Sequence, residues 1–178
     1  MILPGMTAVF MAFALIVASP AAAQDAGSPA RILDQMPKAL EGAPAVKMEN
    51  GIMMYMIPGP DGKPTIVVAL TVMEKEGFVS PEQLRGLAVE MVKDFGLRQV
   101  LREGAFTTPM WSSAPTFFGE YATDKGFTQS WSLVTGKEGM NVTAVFANGK
   151  DARRVEALVA EKIFRGAVVS AGKPADRP

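Results

Sequence analysis

Three strands and two tight turns account for almost every residue between Thr116 and Ala147. Thr116 to Thr123, Thr128 to Thr135 and Met140 to Ala147 are rich in β-branched and aromatic residues, which favour extended backbone. Between them stand only Asp124-Lys125-Gly126 and Gly136-Lys137-Glu138-Gly139. Connections this short cannot hold a parallel crossover, so the three strands form an antiparallel meander. In the last of them Met140, Val142, Ala144 and Phe146 share one side, and Asn141 and Thr143 the other. That alternation describes a sheet with one buried and one wetter face.

The same signals extend upstream. Gly51 to Ile57 and Thr65 to Met73 are apolar and flank a turn-forming stretch, Pro58 to Pro64, so they read as a hairpin. Both alternation sets of the first strand are apolar, which predicts cover on both sides. Arg98 to Glu103 reads as a further strand. Between hairpin and strand lies a helix from Pro81 to Phe95. Ser80 and Gln83 make a capping-box pattern, Pro81 suits the first helical position, and Gly96 ends it. Leu84, Leu87, Ala88, Met91, Val92 and Phe95 form its apolar stripe. A second helix is expected from a cap at Asp151, with Val155, Leu158, Val159 and Ile163 inward and Gly166 closing it.

The order is hairpin, helix, meander, helix. It predicts one α+β domain over 46–169, with an antiparallel sheet of about six strands and both helices on one face. Over roughly Val46 to Val169 this layout resembles the PsbP/Mog1-like fold group. The resemblance is carried by the capped helix from Ser80 and by the Gly-punctuated meander around Phe118-Gly119-Glu120-Tyr121 and Gly139 to Phe146. Members of that group look like accessory, binding and assembly proteins. The resemblance brings no catalytic motif.

The ends of the chain read differently. Ala8 to Ala18 is an unbroken apolar run, followed by Ser19-Pro20 and the small-residue site Ala21-Ala22-Ala23. This is the pattern of a secretory signal over 1–23, although no Lys or Arg precedes the apolar run. The run is too short to span a bilayer, so an uncleaved anchor is the weaker reading. Residues 24–45 read as a linker and 170–178 as a disordered tail. The chain is therefore expected to be periplasmic or secreted, with no stable membrane anchor after cleavage.

Composition narrows the chemistry. The chain has no His and no Cys. Ser-His-Asp and Cys-His catalysis, thiol-attached haem and ordinary zinc sites are closed to it. Lys and Arg number 18, as do Asp and Glu. A net charge of zero gives no electrostatic case for nucleic acid. No cofactor and no metal are expected.

Gly104 to Gly119 contains no charged residue, yet it holds Phe106, Met110, Trp111 and Phe117. A long connection carrying aromatics is a common binding surface, and these four residues are the candidate site. The competing reading is that Trp111 and Phe106 fold back to plug the core. Other residues suggest competing chemistries. Met48, Met53, Met54 and Met56 could hold copper(I), but neighbouring strand residues face opposite ways. Glu74, Glu76, Glu103 and Glu120 could supply a carboxylate pair for a cell-envelope hydrolase. Lys93, Arg98 and Arg102 could form a small anion patch. Asn141-Val142-Thr143 also matches a glycosylation sequon.

The expected function is therefore non-catalytic: an exported binding or assembly-accessory domain for a protein or an apolar small molecule. Exported material should begin at Gln24 or within a few residues of it. Intact mass of protein recovered from its native compartment checks this; retained Met1 with membrane association would refute it.

Overall fold

The computed structural model describes residues 32–49, 51–74, 79–135 and 138–172. The secretory signal expected over 1–23 lies outside the described residues. Among the described residues there are ten strands: β1 (Ala39–Leu40), β2 (Ala43–Pro44), β3 (Val46–Lys47), β4 (Met53–Pro58), β5 (Pro64–Glu74), β6 (Leu97–Thr107), β7 (Thr116–Thr123), β8 (Gly126–Thr135), β9 (Glu138–Phe146) and β10 (Val168–Ala171). Two helices join them, α1 (Pro81–Lys93) and α2 (Ala152–Leu158). The architecture is α+β.

Eight strands form one antiparallel sheet in the order β10-β6-β7-β8-β9-β5-β4-β3. All six strands read from the sequence belong to it, and the meander of β7, β8 and β9 lies at its centre. The sheet is larger than expected because β3 and β10 add to its two ends. Each is too short to show a period of two. The separate pair β1–β2 forms a small ribbon.

The segment 32–45 is not a spacer. Met36, Leu40 and Ala43 are buried in the main core. The Tyr55 hydroxyl donates to Pro37 O at 2.7 Å and fastens this strap to β4. Burial pushes the Tyr55 phenol up to about 12.

The two helices lie on opposite faces, not on one. Phe117 and Phe118 are neighbours on β7 and so point to opposite sides. Phe118 packs in the cluster that holds Val155, Leu158, Val159 and Ile163. Phe117 packs with Leu84, Ala88, Val79 and Val134. The sheet therefore has an α2 face, shared with the strap, and an α1 face. Both phases of β7 carry aromatics, and the phase of β9 expected to be wetter, Asn141 and Thr143, is buried too, so the sequence alone does not show which side each helix takes.

The capping box at Ser80 is present. Gln83 N donates to Ser80 Oγ, and Ser80 N donates to the Gln83 side chain. After the helix Gly96 adopts φ +74, a left-handed conformation that glycine reaches without strain. Its carbonyl accepts from Asp124 N at 2.9 Å and so ties the end of α1 to the β7–β8 turn. The second helix is capped otherwise than expected. Asp151 makes no side-chain cap bond; the Asn148 side chain accepts from Lys150 N one turn earlier.

The inward stripe of α1 is rotated from its expected centre. Leu84, Ala88 and Val92 are buried, whereas Leu87 is 45% exposed. The helix rests on β7 and β8 along its 84-88-92 ridge, and Leu87 sits at the margin. Leu84→Ala should cost about 2–5 kcal/mol, the range for a buried leucine. Leu87→Ala should cost under about 1 kcal/mol, nearer a surface site. Paired urea melts check this; equal losses would place the helix differently.

Candidate functional site

The strand β6 carries two register shifts, between Leu97 and Gln99 and between Val100 and Arg102. Val100 pairs with Tyr121, and Arg102 pairs with Glu120. An extra residue in one strand reverses the side to which the next side chain points. Arg102 thereby turns to the α2 face, away from Val100. There its guanidinium contacts Glu120 at 3.0 Å and also pairs with Glu156 of α2. It lies 4.7 Å from the centre of the Phe118 ring. Gln129 adds a bond to Ala152 O at 2.9 Å and a longer one to Glu120.

This ionic group joins β6, β7, β8 and α2. Glu120 is fully buried and Arg102 is only 12% exposed. A carboxylate so placed is tolerated because a cation neutralises it. The two acids that converge here, Glu120 and Glu156, do so on a guanidinium between them.

The remaining acidic candidates do not join them. Glu103 pairs with Gly119, one position from Glu120's pair, and therefore faces the α1 side. Its carboxylate binds Arg85 of α1 at 2.8 Å and accepts from the Tyr121 hydroxyl. Burial and that nearby carboxylate push the Tyr121 phenol well above its ordinary range. Gly119 is required beside it, since a Cβ there would strike the Tyr121 ring. Glu76 and the Glu74 side chain lie outside the described residues.

The proposed anion patch does not assemble. Lys93 pairs with Glu90, Arg98 with Asp124, and Arg102 turns inward. The register of β4 places Met53 on the α2 face, where its sulfur accepts from Tyr55, and Met54 and Met56 on the other. The sequon is likewise inward. Asn141 is buried, donates to Ser130 and Ser132, and accepts from Thr143. A glycan could reach it only in an unfolded chain.

The four residues of the charge-free segment separate. Phe106 is 2% exposed and packs on the α2 face against Trp131 and Phe164. Phe117 is buried on the α1 face. These two are core residues. The Met110 side chain lies outside the described residues. Trp111 is half-buried on a short 3-10 turn, Pro109–Trp111. Its ring meets Phe164 edge-on, with centroids 6.5 Å apart. Around it Thr107, Pro109, Ser112 and Ser113 are exposed and uncharged. The base of the segment is closed by Thr116, whose hydroxyl accepts from Phe106 N at 3.1 Å, and by Thr108, which donates to Phe164 O.

The segment is thus core at both ends and surface at its middle. Next to it runs β10, paired with the final residues of β6: Val168 with Thr107, Val169 with Phe106. A shallow hollow elsewhere, between α1 and β8–β9, has a volume of about 20 Å³, room for a single water. Comparison with protein-family models and with curated proteins finds no match for this chain.

Removing the Arg102 cation should be costly, because Glu120 would stay buried without it. Arg102→Ala should destabilise the chain by about 3–5 kcal/mol. Arg102→Met combined with Glu120→Gln and Glu156→Gln should recover a large part of that loss. Denaturant melts of the variants check this; no recovery would mean that the arginine matters for its packing on Phe118 rather than its charge.

Proposed function

We propose that this chain is an exported, non-catalytic binding domain, periplasmic or secreted, that docks another protein through the Trp111 turn and the adjoining sheet edge. The observation that carries this is the turn itself. Trp111 stands half-buried in an uncharged stretch at the border of the sheet, with its partly exposed ring propped on Phe164. Tryptophan brings large apolar area with few rotors to freeze, which suits it to anchor an interface.

The disposition of charge supports a binding role. Glu103, Glu120 and Glu156 are each taken up by a guanidinium. A glycosidase-type pair needs two carboxyls flanking the scissile bond; here Glu103 and Glu120 are on opposite faces, and Glu120 and Glu156 share Arg102. A protein partner is favoured over an apolar small molecule because Trp111 stands on a turn among exposed residues, Thr107, Pro109, Ser112 and Ser113. The leader pattern at Ala8 to Ala23 supports export. The element order that resembles the PsbP/Mog1-like group, whose members look like accessory and assembly proteins, points the same way.

Trp111→Ala should leave the fold nearly intact and weaken partner binding by about 2 kcal/mol or more. Photo-crosslinkers at Ser113 and at exposed Glu90 of α1, introduced in the native compartment, identify the face used. Adducts at Ser113 alone support the proposal. A stability loss of about 3–5 kcal/mol in Trp111→Ala, as for a core aromatic, would make the turn a plug and end it.

A further inference from the structure

We infer that the partner is taken up as an added β-strand along β10, through an extended, uncharged stretch of its chain. This rests on the Trp111 turn being the binding surface and names what that surface binds. The direction of the β10 hydrogen bonds carries it. Gly172 N donates to Glu103 O at 3.2 Å, so Gly172 and Glu103 form a bonded pair. In an antiparallel ladder, bonded and non-bonded pairs alternate. Two residues and four residues back along the register, Ser170–Ala105 and Val168–Thr107 are therefore bonded pairs too. The N–H and C=O of Val169 and Ala171 consequently point away from β6. β10 ends the strand order, and among the described residues no strand pairs with that side.

Protein sheets normally blunt their edges with shortness, charge, proline or a bulge. Two other free borders of this sheet do so. β3 is two residues long and ends in Lys47. The first half of β6, which β10 does not reach, carries both register shifts and exposed Arg98. β10 is short, at four residues, but has none of the other devices. Val168 to Ala171 holds no charge and no proline, its register against β6 is unbroken, and Val168 is 64% exposed.

The occupant follows from the size and chemistry of this edge. Val169 and Ala171 offer two donors and two acceptors. Two copies paired along four residues would bury far less than the roughly 1,200–2,000 Å² of a stable interface. A peptide is not held to that figure, since strand addition draws affinity from main-chain bonds and specificity from alternate side chains. Its residues alternate between the two faces. Those beside Val169 fall on the α2 face, where Val169 and Trp111 both pack against the core. Residues 166–172 carry no charge, so a charged peptide would find no counter-ion along the strand. The fitting ligand is a short extended segment, apolar or β-branched on the side facing Trp111.

Random decapeptides displayed on phage and panned on the purified chain test this. Enriched peptides should share an uncharged, alternating apolar pattern. Their binding should slow amide exchange at Val169 and Ala171 at least tenfold and leave Val168 and Ser170, already bonded to β6, unchanged. Ala171→Pro deletes one outward N–H at a position where an edge strand accepts proline. It should keep the melting temperature and lose at least tenfold in peptide affinity. Ser170→Pro deletes a ladder bond instead and should lower the melting temperature. Should Ala171→Pro fail to fold, the exchange pattern of the unaltered chain decides alone.

If Trp111→Ala loses the peptide while Ala171→Pro keeps it, and exchange at Val169 is unchanged, strand addition is wrong and the Trp111 reading survives. If no pattern is enriched, or if binding ignores both variants, both fall. If sedimentation shows a dimer that Ala171→Pro abolishes, the occupant is a second copy and the peptide is overturned.

Discussion

The Trp131 indole lies against Phe164, with ring centroids 5.6 Å apart, and meets Phe106 and Phe118 edge-on. Those four side chains come from β8, β6, β7 and the residue that ends the helical stretch of α2. A helix of seven residues has little stability of its own and depends on such packing. Past Leu158 the backbone widens into a π-turn, and Phe164 N donates to Val159 O across it. That wider turn carries Phe164 into the aromatic cluster. Trp111 leans on Phe164, and the Phe106–Val169 pair sets the register of β10. The outer surface at this end of the sheet is thus positioned by the inner one.

Without cysteine there is no disulfide, so the fold depends on non-covalent contacts, burial foremost. A large sheet with cover on both faces answers that need. Strands β7 and β9 are buried along nearly their whole length. The strap contributes as well, since Met36, Leu40 and Ala43 seal the α2 face.

Where a stretch was long and strictly patterned, its structure could be read directly. The meander showed in its short turns, and the start of α1 in Ser80, Pro81 and Gln83. What lacked a period did not show. β1, β2 and β3 are two-residue strands in Ala- and Pro-containing sequence, and β10 is a brief apolar run near the end of the described chain. The choice of face for each helix was hidden because Phe117 and Phe118 are equally apolar. The ionic group was hidden for another reason. Arg102 and Glu156 are 54 residues apart, and only the bulge in β6 turns one toward the other. Of the site, sequence disclosed that an uncharged aromatic segment existed. It could not divide that segment into Phe106 and Phe117, which serve the core, and Trp111, which stands at its border.

The bulge between Val100 and Arg102 has a further consequence, best put as parity. From Arg102 onward, the face that each β6 residue takes depends on whether the count back to Val100 is odd or even. Pairing the strand without that irregularity, with every residue kept, would send Arg102 outward, leave Glu120 enclosed without its cation, and invert Phe106 and every later position of the strand. Loss of Leu101 would instead restore an unbroken register and leave Arg102 opposite Glu120. One surplus residue, Leu101, itself buried, keeps half a strand in phase with the core.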